Sequence, residues 1–439
     1  MKKVLVLGAG LVAKPLVRYL LDNGYEVIMA SRTVSKAERM IAGHSHGKAF
    51  ALDMQDEGKL APFIRDCDLA VSLVPFSFHP VVARLCIAQR KPMVTTSYVS
   101  PAMQELDGAA RAAGVTVLNE IGVDPGIDHM SAMRVIDGVR RRGGRIIAFR
   151  SYCGGLPAPE ANDNPFGYKF SWAPRGVLLA SRNSAQYILD GRKVEVPSHR
   201  LFRDMHILAV GDQGDYEAYP NRDSIGYIDV YGLSGIQTIY RGTLRNMGWC
   251  DTLFNFGKLG LLSLDEVDVK GKTYADFMRG VIGCSRSDDL STAAARKLGI
   301  PRQAFPILNL EWLGMFSDRQ FKLDRISPLD AMGELMFEKL AFRPGERDML
   351  VLYHDFRAEF PGGKRERIIA QMIDFGIPNG DSSMSRTVSL PAAIGVKMIL
   401  TGQIKATGVL RPVTPDIYDP VLDELATLNI AFQEKTEAF

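Results

Sequence analysis

The chain has little net charge, few cysteines and no long apolar run, and each shortage removes a class of protein. Its 439 residues include 53 Lys and Arg against 50 Asp and Glu, a net charge of +3. Nucleic-acid binding calls for a clustered basic face. No nucleic-acid partner is therefore expected, and any Arg with a role should act locally, on an anionic group of a ligand. The five cysteines, Cys67, Cys86, Cys153, Cys250 and Cys284, are odd in number, scattered and never spaced as CxxC. The seven histidines form no ligand pattern with them, which argues against a metal site. Free thiols in a cytoplasmic protein are the expectation. No apolar stretch nears the ~20 residues needed to span a bilayer. Lys2 and Lys3 precede apolar Val4–Val12, but Gly8 and Gly10 interrupt that run, Lys14 follows at once and no small-residue cleavage site appears. It is not read as a secretory signal. A soluble protein of two or three domains, with no membrane role, is expected.

The first 130 residues alternate strand and helix. Val4-Leu5-Val6-Leu7 is a continuous apolar run, as in a strand buried on both faces of a parallel sheet. It leads into Gly8-Ala9-Gly10-Leu11-Val12-Ala13 and an apolar-periodic stretch reaching Asn23-Gly24. Pro15 fits only the first helical turn, which predicts a helix starting near Leu11. Further strands are predicted at Tyr25–Ser31, Ala49–Asp53, Asp68–Val74, Met93–Thr96 and Thr116–Asn119, with helices at Pro80–Gln89 and Pro101–Ala113. This spacing predicts an α/β fold with an N-terminal doubly wound parallel sheet of the Rossmann kind.

A GxGxxA pattern gains meaning when it follows a buried strand and opens a helix. Gly8 then permits the sharp turn, Gly10 lets a pyrophosphate approach the backbone, and Ala13 lets helix and strand pack closely. The helix start offers free N–H groups to the phosphates. At the end of the second strand, NAD-binding folds place Asp or Glu for the ribose hydroxyls, but this chain has Ser31-Arg32. A hydroxyl and a guanidinium suit a 2′-phosphate that a carboxylate would repel. NADP(H) is therefore the predicted cofactor. The predicted cofactor site comprises Gly8, Gly10, Leu11, Val12, Ser31, Arg32, Asp53, Val74, Ser97 and Asp124.

From Asn119 onward the sequence resembles one family. Asn119-Glu120-Ile121-Gly122-Val123-Asp124-Pro125-Gly126-Ile127-Asp128-His129, Ser151–Glu160 and Asp163–Trp172 carry the resemblance. It continues through Tyr219–Ser224, Arg241-Gly242-Thr243-Leu244-Arg245 and Leu390–Pro412. These segments resemble the saccharopine reductases, the NADP-dependent, glutamate-forming saccharopine dehydrogenases, over essentially the whole chain. Ala173-Pro174 before Arg175 departs from the small polar residues expected there.

The resemblance implies a small amino-acid substrate. Saccharopine is an adduct of L-glutamate and 2-aminoadipate 6-semialdehyde; NADPH delivers hydride to the imine joining them, in lysine metabolism. Three carboxylates call for cationic or N–H donors, which Arg222, Arg241 and Arg245 could supply with Thr243 and Leu244. By the same resemblance Ser97 and Tyr98, just past the fifth strand, touch saccharopine or nicotinamide. The candidates for proton transfer are Tyr98, Asp124, His129 and Cys153, of which the resemblance favours Asp124, Tyr98 and Cys153 as a group. Each has a plainer alternative: Asp124 as cap of a helix starting near His129, Tyr98 as a packing aromatic, and Cys153 as a small buried hydrophobe. His79, after the fourth strand, lies near the expected nicotinamide end and is equally suited to a structural role.

After Asp128 the βα alternation stops. Arg145–Cys153 and Ile225–Leu233 are predicted as strands of a second, largely antiparallel sheet, with Leu350–Phe360 and Arg367–Phe375 returning to it. Ala275–Ile282, Leu290–Leu298 and Pro328–Leu340 have helical spacing, and Leu390–Leu400 is predicted as a helix packing back on the nucleotide domain. The expected organisation is a Rossmann domain over 1–128 completed by 389–439, an α/β substrate domain over 129–260 and 345–388, and a helical insertion over 261–344. Ligands would bind in a cleft between domains. A homodimer is implied by the resemblance alone. Two other functions fit less well: a carboxynorspermidine-type imine-reducing dehydrogenase, which would want an acidic pocket, and a silent NADP-binding sensor, which would lack proton-transfer groups. An NAD-linked activity is opposed by Ser31-Arg32.

Overall fold

Val4-Leu5-Val6-Leu7 has no polar side to turn to water, and it lies inside a sheet. The structure, a computed structural model, describes all 439 residues. They form two compact units, Met1–Ile146 with Ala358–Phe439, and Ile147–Arg357.

The first unit is built on a seven-stranded parallel sheet. In chain order its strands are β1 (Lys3–Leu7), β2 (Glu26–Ser31), β3 (Gly47–Ala51), β4 (Leu69–Ser72), β5 (Met93–Thr95) and β6 (Thr116–Leu118). Across the sheet the order is β3-β2-β1-β4-β5-β6, the doubly wound arrangement, with Gly408–Leu410 added beside β6. The order reverses between β1 and β4, where such folds open a crevice at the strands' carboxyl ends. Leu5, Leu7, Ile28, Ala70 and Met93 pack on one face against Leu60, Ile64, Val82 and Cys86 from the crossover helices. Alternate residues such as Val4, Val6 and Val27 are equally buried on the opposite face.

Several predicted boundaries shift, each for a local reason. The first helix is Lys14–Asp22 rather than starting near Leu11. Gly10–Ala13 closes instead as a turn, Ala13 N donating to Gly10 O at 3.2 Å, and Pro15 sits in the opening helical turn. Pro101–Ala113 divides into Pro101–Gln104 and Asp107–Ala113. The helix predicted at Leu390–Leu400 begins seven residues earlier and spans Ser383–Leu400. Its first turns are rich in Ser and Thr yet buried, because Thr387 and Ser389 donate their hydroxyls to the carbonyls of Ser383 and Ser385. Ser389 Oγ also accepts from Leu16 N at 3.2 Å, tying this helix to the first one. The exposed, polar Gln433–Ala438 pairs antiparallel with Arg365–Phe375, a strand that no apolar pattern announces.

The second unit has a mixed sheet. His206–Ala209, Asp215–Pro220, Thr238–Arg245, Arg145–Pro157 and Asp348–Glu359 lie side by side in that order. Thr238–Arg245 runs parallel to Arg145–Pro157 and antiparallel to Asp215–Pro220. The strand predicted at Ile225–Leu233 is absent. Asp223 Oδ1 accepts from the N–H groups of Ile225 and Gly226, which turns the chain into a short helix, Tyr227–Val230, ended by Gly232 in the left-handed region. The helices Tyr274–Ile282, Leu290–Leu298, Phe305–Leu313 and Pro328–Lys339 follow, as apolar periodicity predicted for three of them. No helix of the chain is long and apolar enough to cross a membrane.

Candidate active site

The turn after β1 is shaped by two glycines with different reasons. Gly8 has φ of +106°, and a Cβ there would lie 2.8 Å from the carbonyl oxygen of Leu73. The fold itself therefore requires glycine at position 8. A Cβ on Gly10 would meet nothing within 4 Å. No protein atom demands glycine at position 10, and the space above it is what a pyrophosphate lying on the backbone would fill. The N–H groups of Leu11 and Val12 find no protein acceptor, and Leu11 projects into solvent, 60% exposed.

The other cofactor candidates all fall at the carboxyl edge of the same sheet. Ser31 ends β2 and Arg32 follows it, exposed and free of any ion pair. No carboxylate occupies the corner that recognises unphosphorylated ribose, so the pair fits a 2′-phosphate. Asp53, beyond β3, turns its carboxylate onto its own loop, Oδ1 accepting from Gln55 N at 3.0 Å. Val74, two residues past β4, packs against the core below.

Past β5 the candidates meet. Tyr98 donates its hydroxyl to Asp124 Oδ1 at 2.7 Å. Asp124 is not the cap of the helix Ile127–Arg141: the residue before that helix is Gly126, whose N–H donates to Asp128 Oδ1 at 2.6 Å. The plainer alternative for Asp124 is thereby removed, and its carboxylate is spent on a phenol. Ser97 Oγ lies 2.8 Å from His79 Nε2, and His79 Nδ1 lies 2.8 Å from Ser72 Oγ. His79 is 2% exposed, and burial pushes its imidazole down to about 4. It is thus a neutral imidazole bridging Ser72 and Ser97. His129, a sequence candidate for proton transfer, is wholly buried with Nε2 2.9 Å from Glu120 Oε2, out of reach of a substrate.

The second unit places Cys153, Arg241, Thr243 and Arg245 on one sheet face. Thr243 stands opposite Cys153 on one neighbouring strand and opposite Tyr219 on the other. Arg241 and Arg245 share its face, two residues to either side. Both guanidinium groups are buried, at 2% and 6% exposure. Arg241 stacks over Tyr227 at 4.6 Å, and Arg245 lies 4.8 Å from the Tyr168 ring centre. Arg245 Nη1 donates to Leu244 O, but its Nε has no partner in the protein. An unsatisfied buried cation is costly, and an anionic ligand group would satisfy it. Arg222, exposed and with φ of +56°, joins this cluster through Asn221 N donating to Arg241 O at 2.8 Å. Leu244 points the other way, fully buried against Gly154, so only its backbone is available to a ligand.

Sequence reasoning passed over two buried carboxylates beside these groups. Glu217 lies opposite Arg245 and accepts from Gly248 N and Cys250 N at 2.9 and 2.7 Å, anchoring the helix Trp249–Lys258. Glu120 holds the segment around Tyr98. Charged residues inside apolar, strand-like stretches were the available signal.

Comparison with known proteins agrees with this geometry. Residues 4–118 match the family described as saccharopine dehydrogenase NADP binding domain, and 122–430 the saccharopine dehydrogenase C-terminal domain. The chain is 40% identical over 447 residues to saccharopine dehydrogenase [NADP(+), L-glutamate-forming] of Saccharomyces cerevisiae, covering 100% of both. It is 40% identical over 434 residues to the Pyricularia oryzae enzyme of the same name, covering 97% and 96%. The mitochondrial alpha-aminoadipic semialdehyde synthase of Bos taurus is 38% identical across 98% of this chain but only 47% of its own length. The apo structure of saccharopine dehydrogenase (L-Glu forming) from Saccharomyces cerevisiae superposes with a TM-score of 0.90 at 38% identity, covering 100% of both chains. The chain belongs to the saccharopine dehydrogenase family, in its NADP-dependent, L-glutamate-forming branch.

Proposed function

We propose that this protein is an NADP-dependent oxidoreductase interconverting saccharopine with L-glutamate and 2-aminoadipate 6-semialdehyde, a step of lysine metabolism. The observation that carries the mechanism is the 2.7 Å hydrogen bond between Tyr98 and Asp124 at the carboxyl edge of the dinucleotide sheet.

When bound, NADP(H) accepts or supplies the hydride at the C–N bond. The turn at Gly8–Val12 would hold the pyrophosphate, and Ser31 and Arg32 would hold the 2′-phosphate. Oxidation needs the secondary amine of saccharopine to be free of its extra proton, and Asp124, bridged to Tyr98, is the base placed to take it. Hydrolysis of the imine then adds water across C=N and returns a proton to the departing amine of glutamate. The same pair can hold and return that proton. Overall, saccharopine, NADP⁺ and water give glutamate, the semialdehyde, NADPH and a proton. Arg222, Arg241, Arg245 and Thr243 supply the positive and donor groups that three carboxylates require.

The test is NADPH formation by purified protein given saccharopine, with NAD and carboxynorspermidine as comparisons. Turnover with saccharopine and NADP is expected, and turnover only with carboxynorspermidine would move the protein to the diamine-using enzymes. We further read the protein as a cytoplasmic homodimer. The scattered thiols, none in a disulfide, agree with a reducing compartment, and light scattering at working concentration checks the dimer.

A further inference from the structure

Glu120 is a buried carboxylate whose partners lie on three segments near Tyr98 and Asp124. It follows β6, is 1% exposed, and has φ of +55°, a left-handed conformation that side chains other than Gly, Asn and Asp seldom adopt. Its backbone N–H donates to Ser97 O at 3.1 Å, and its Oε1 accepts from Val99 N at 2.8 Å. The two residues flanking Tyr98 are thus held by the two ends of a single residue. Oε1 also takes Arg411 Nε at 3.0 Å, from the end of strand Gly408–Leu410. Oε2 faces His129 Nε2 at 2.9 Å, in the first turn of Ile127–Arg141. That helix begins right after the turn bearing Asp124, and this turn is closed by Gly122 N donating to Pro125 O at 2.9 Å.

A buried charge in a position with strained backbone is an expensive way to join a loop to a strand. Packing alone asks for neither: an apolar side chain in a relaxed conformation would close the core. Burial works to raise the Glu120 carboxyl, but His129, Arg411 and the Val99 N–H outweigh it and hold the group at about 2. The group is therefore favoured as the carboxylate, and at 1% exposure it is shielded from a substrate.

We propose that Glu120 is a positioning residue for the reaction: its carboxylate fixes the Ser97–Val99 segment against the start of the Ile127–Arg141 helix, so that Tyr98 is delivered to Asp124 at bonding distance. The proposal rests on the reading that Tyr98 and Asp124 handle the proton. It separates two jobs on one sheet edge. The Gly8–Val12 turn and Ser31-Arg32 hold the cofactor, while Glu120, reaching to Arg411 and His129, sets the acid–base geometry without touching either ligand.

The experiment is a double-mutant cycle between Glu120→Gln and Tyr98→Phe, with kcat, KM for NADP and melting temperature measured on the full chain. Gln keeps an acceptor for Val99 N but loses the charge that holds Arg411 and His129. A shift of the phenol by an ångström is expected to lower kcat roughly 10- to 100-fold, with KM for NADP unchanged. In the Tyr98→Phe background the same substitution should then have no further effect, because the group it positions is gone. Should Glu120→Gln keep full kcat, or should its loss multiply with that of Tyr98→Phe, the positioning role is overturned while the function stands. Should Tyr98→Phe alone keep full kcat, the reading of the proton pair falls instead. If Glu120→Gln does not fold, Glu120→Gln/Arg411→Gln, which removes both charges of this ion pair together, takes its place in the cycle with the same expectations.

Discussion

Gly8 and Gly10 are two residues apart in one turn, and replacing each by alanine should produce opposite results. At Gly8 the new methyl needs φ of +106° and lies 2.8 Å from Leu73 O and 3.0 Å from Leu73 C, both backbone atoms that cannot swing aside. The conformational strain is about 1–3 kcal/mol and the overpacking roughly another 1–3 kcal/mol. At about 2–4 °C per kcal/mol for a unit of this size, Gly8→Ala should melt well below the parent, by upwards of about 5 °C. At Gly10 the methyl meets no protein atom. Stiffening of the unfolded chain should then raise stability by about 0.4–1 kcal/mol. The same methyl stands where the pyrophosphate must lie, however, and forces it off the Leu11 and Val12 N–H groups. Losing one or two charge-assisted hydrogen bonds, about 1.5–3 kcal/mol each, weakens NADP by at least about tenfold. Thermal melts with and without NADP, together with a fluorescence titration of NADPH, read both effects. A Gly10→Ala protein that binds NADPH as tightly as the parent would refute the assignment of that space to the cofactor.

Three other expectations can be checked on the same protein. Arg32→Ala should lower kcat/KM for NADP roughly 10- to 100-fold, the worth of a lost guanidinium–phosphate contact, and leave NAD unchanged; an equal loss with both nucleotides would remove Arg32 from the 2′-phosphate. Asp124→Asn should cost about 10²-fold or more in kcat, and Cys153→Ser less, since Cys153 shares its face with Thr243 rather than with the Tyr98–Asp124 pair. Near-normal kcat in Asp124→Asn and Tyr98→Phe alike would end the mechanism given above. His79 makes stability depend on pH. Its imidazole is held at about 4 when folded against an ordinary 6.5, so the unfolded chain takes up the proton first. The stabilisation is present above about pH 6.5 and is lost as pH falls toward 4, by up to about 3 kcal/mol. Urea unfolding of the parent and of His79→Gln from about pH 7.5 to about pH 4.5 should show that extra slope in the parent alone.

The parallel sheet was legible because its central strands are apolar on both faces and alternate with helical stretches. The turn after β1 was legible because its glycines follow a buried strand and precede a helix. What failed to show was where polar side chains would place their hydrogen bonds, near or far along the chain. The alternation in Ile225–Leu233 looks like a strand, but the Asp223 carboxylate captures two N–H groups and bends the chain into a helical turn. Ser383–Ser389 looks like a polar loop, but its hydroxyls bond back to its own carbonyls and it becomes a buried helix. Glu120 and Glu217 have roles fixed by N–H groups some 20 to 30 residues away along the chain. Such partners are set by the fold, and no local pattern records them. The substrate side was read from resemblance for the same reason: a row of Cys153, Thr243 and Tyr219 exists only once three strands are in register.

The parallel sheet is completed by a segment some 290 residues further along the chain than β6. Thr116 of β6 bonds Ala406 across 290 residues, and Gly408–Leu410 lies beside β6. At a ribosomal rate of about 5–20 residues per second, the edge of β6 waits on the order of 15–60 s after synthesis for the strand that covers it. The face of Lys14–Asp22 that Ser389 will touch waits longer. During that time the emerging polypeptide has its phosphate turn written but its framework open, with an unpaired strand edge of the kind that invites aggregation. A chain made only as far as β6 thus carries the phosphate turn before the segment that completes the sheet around it exists.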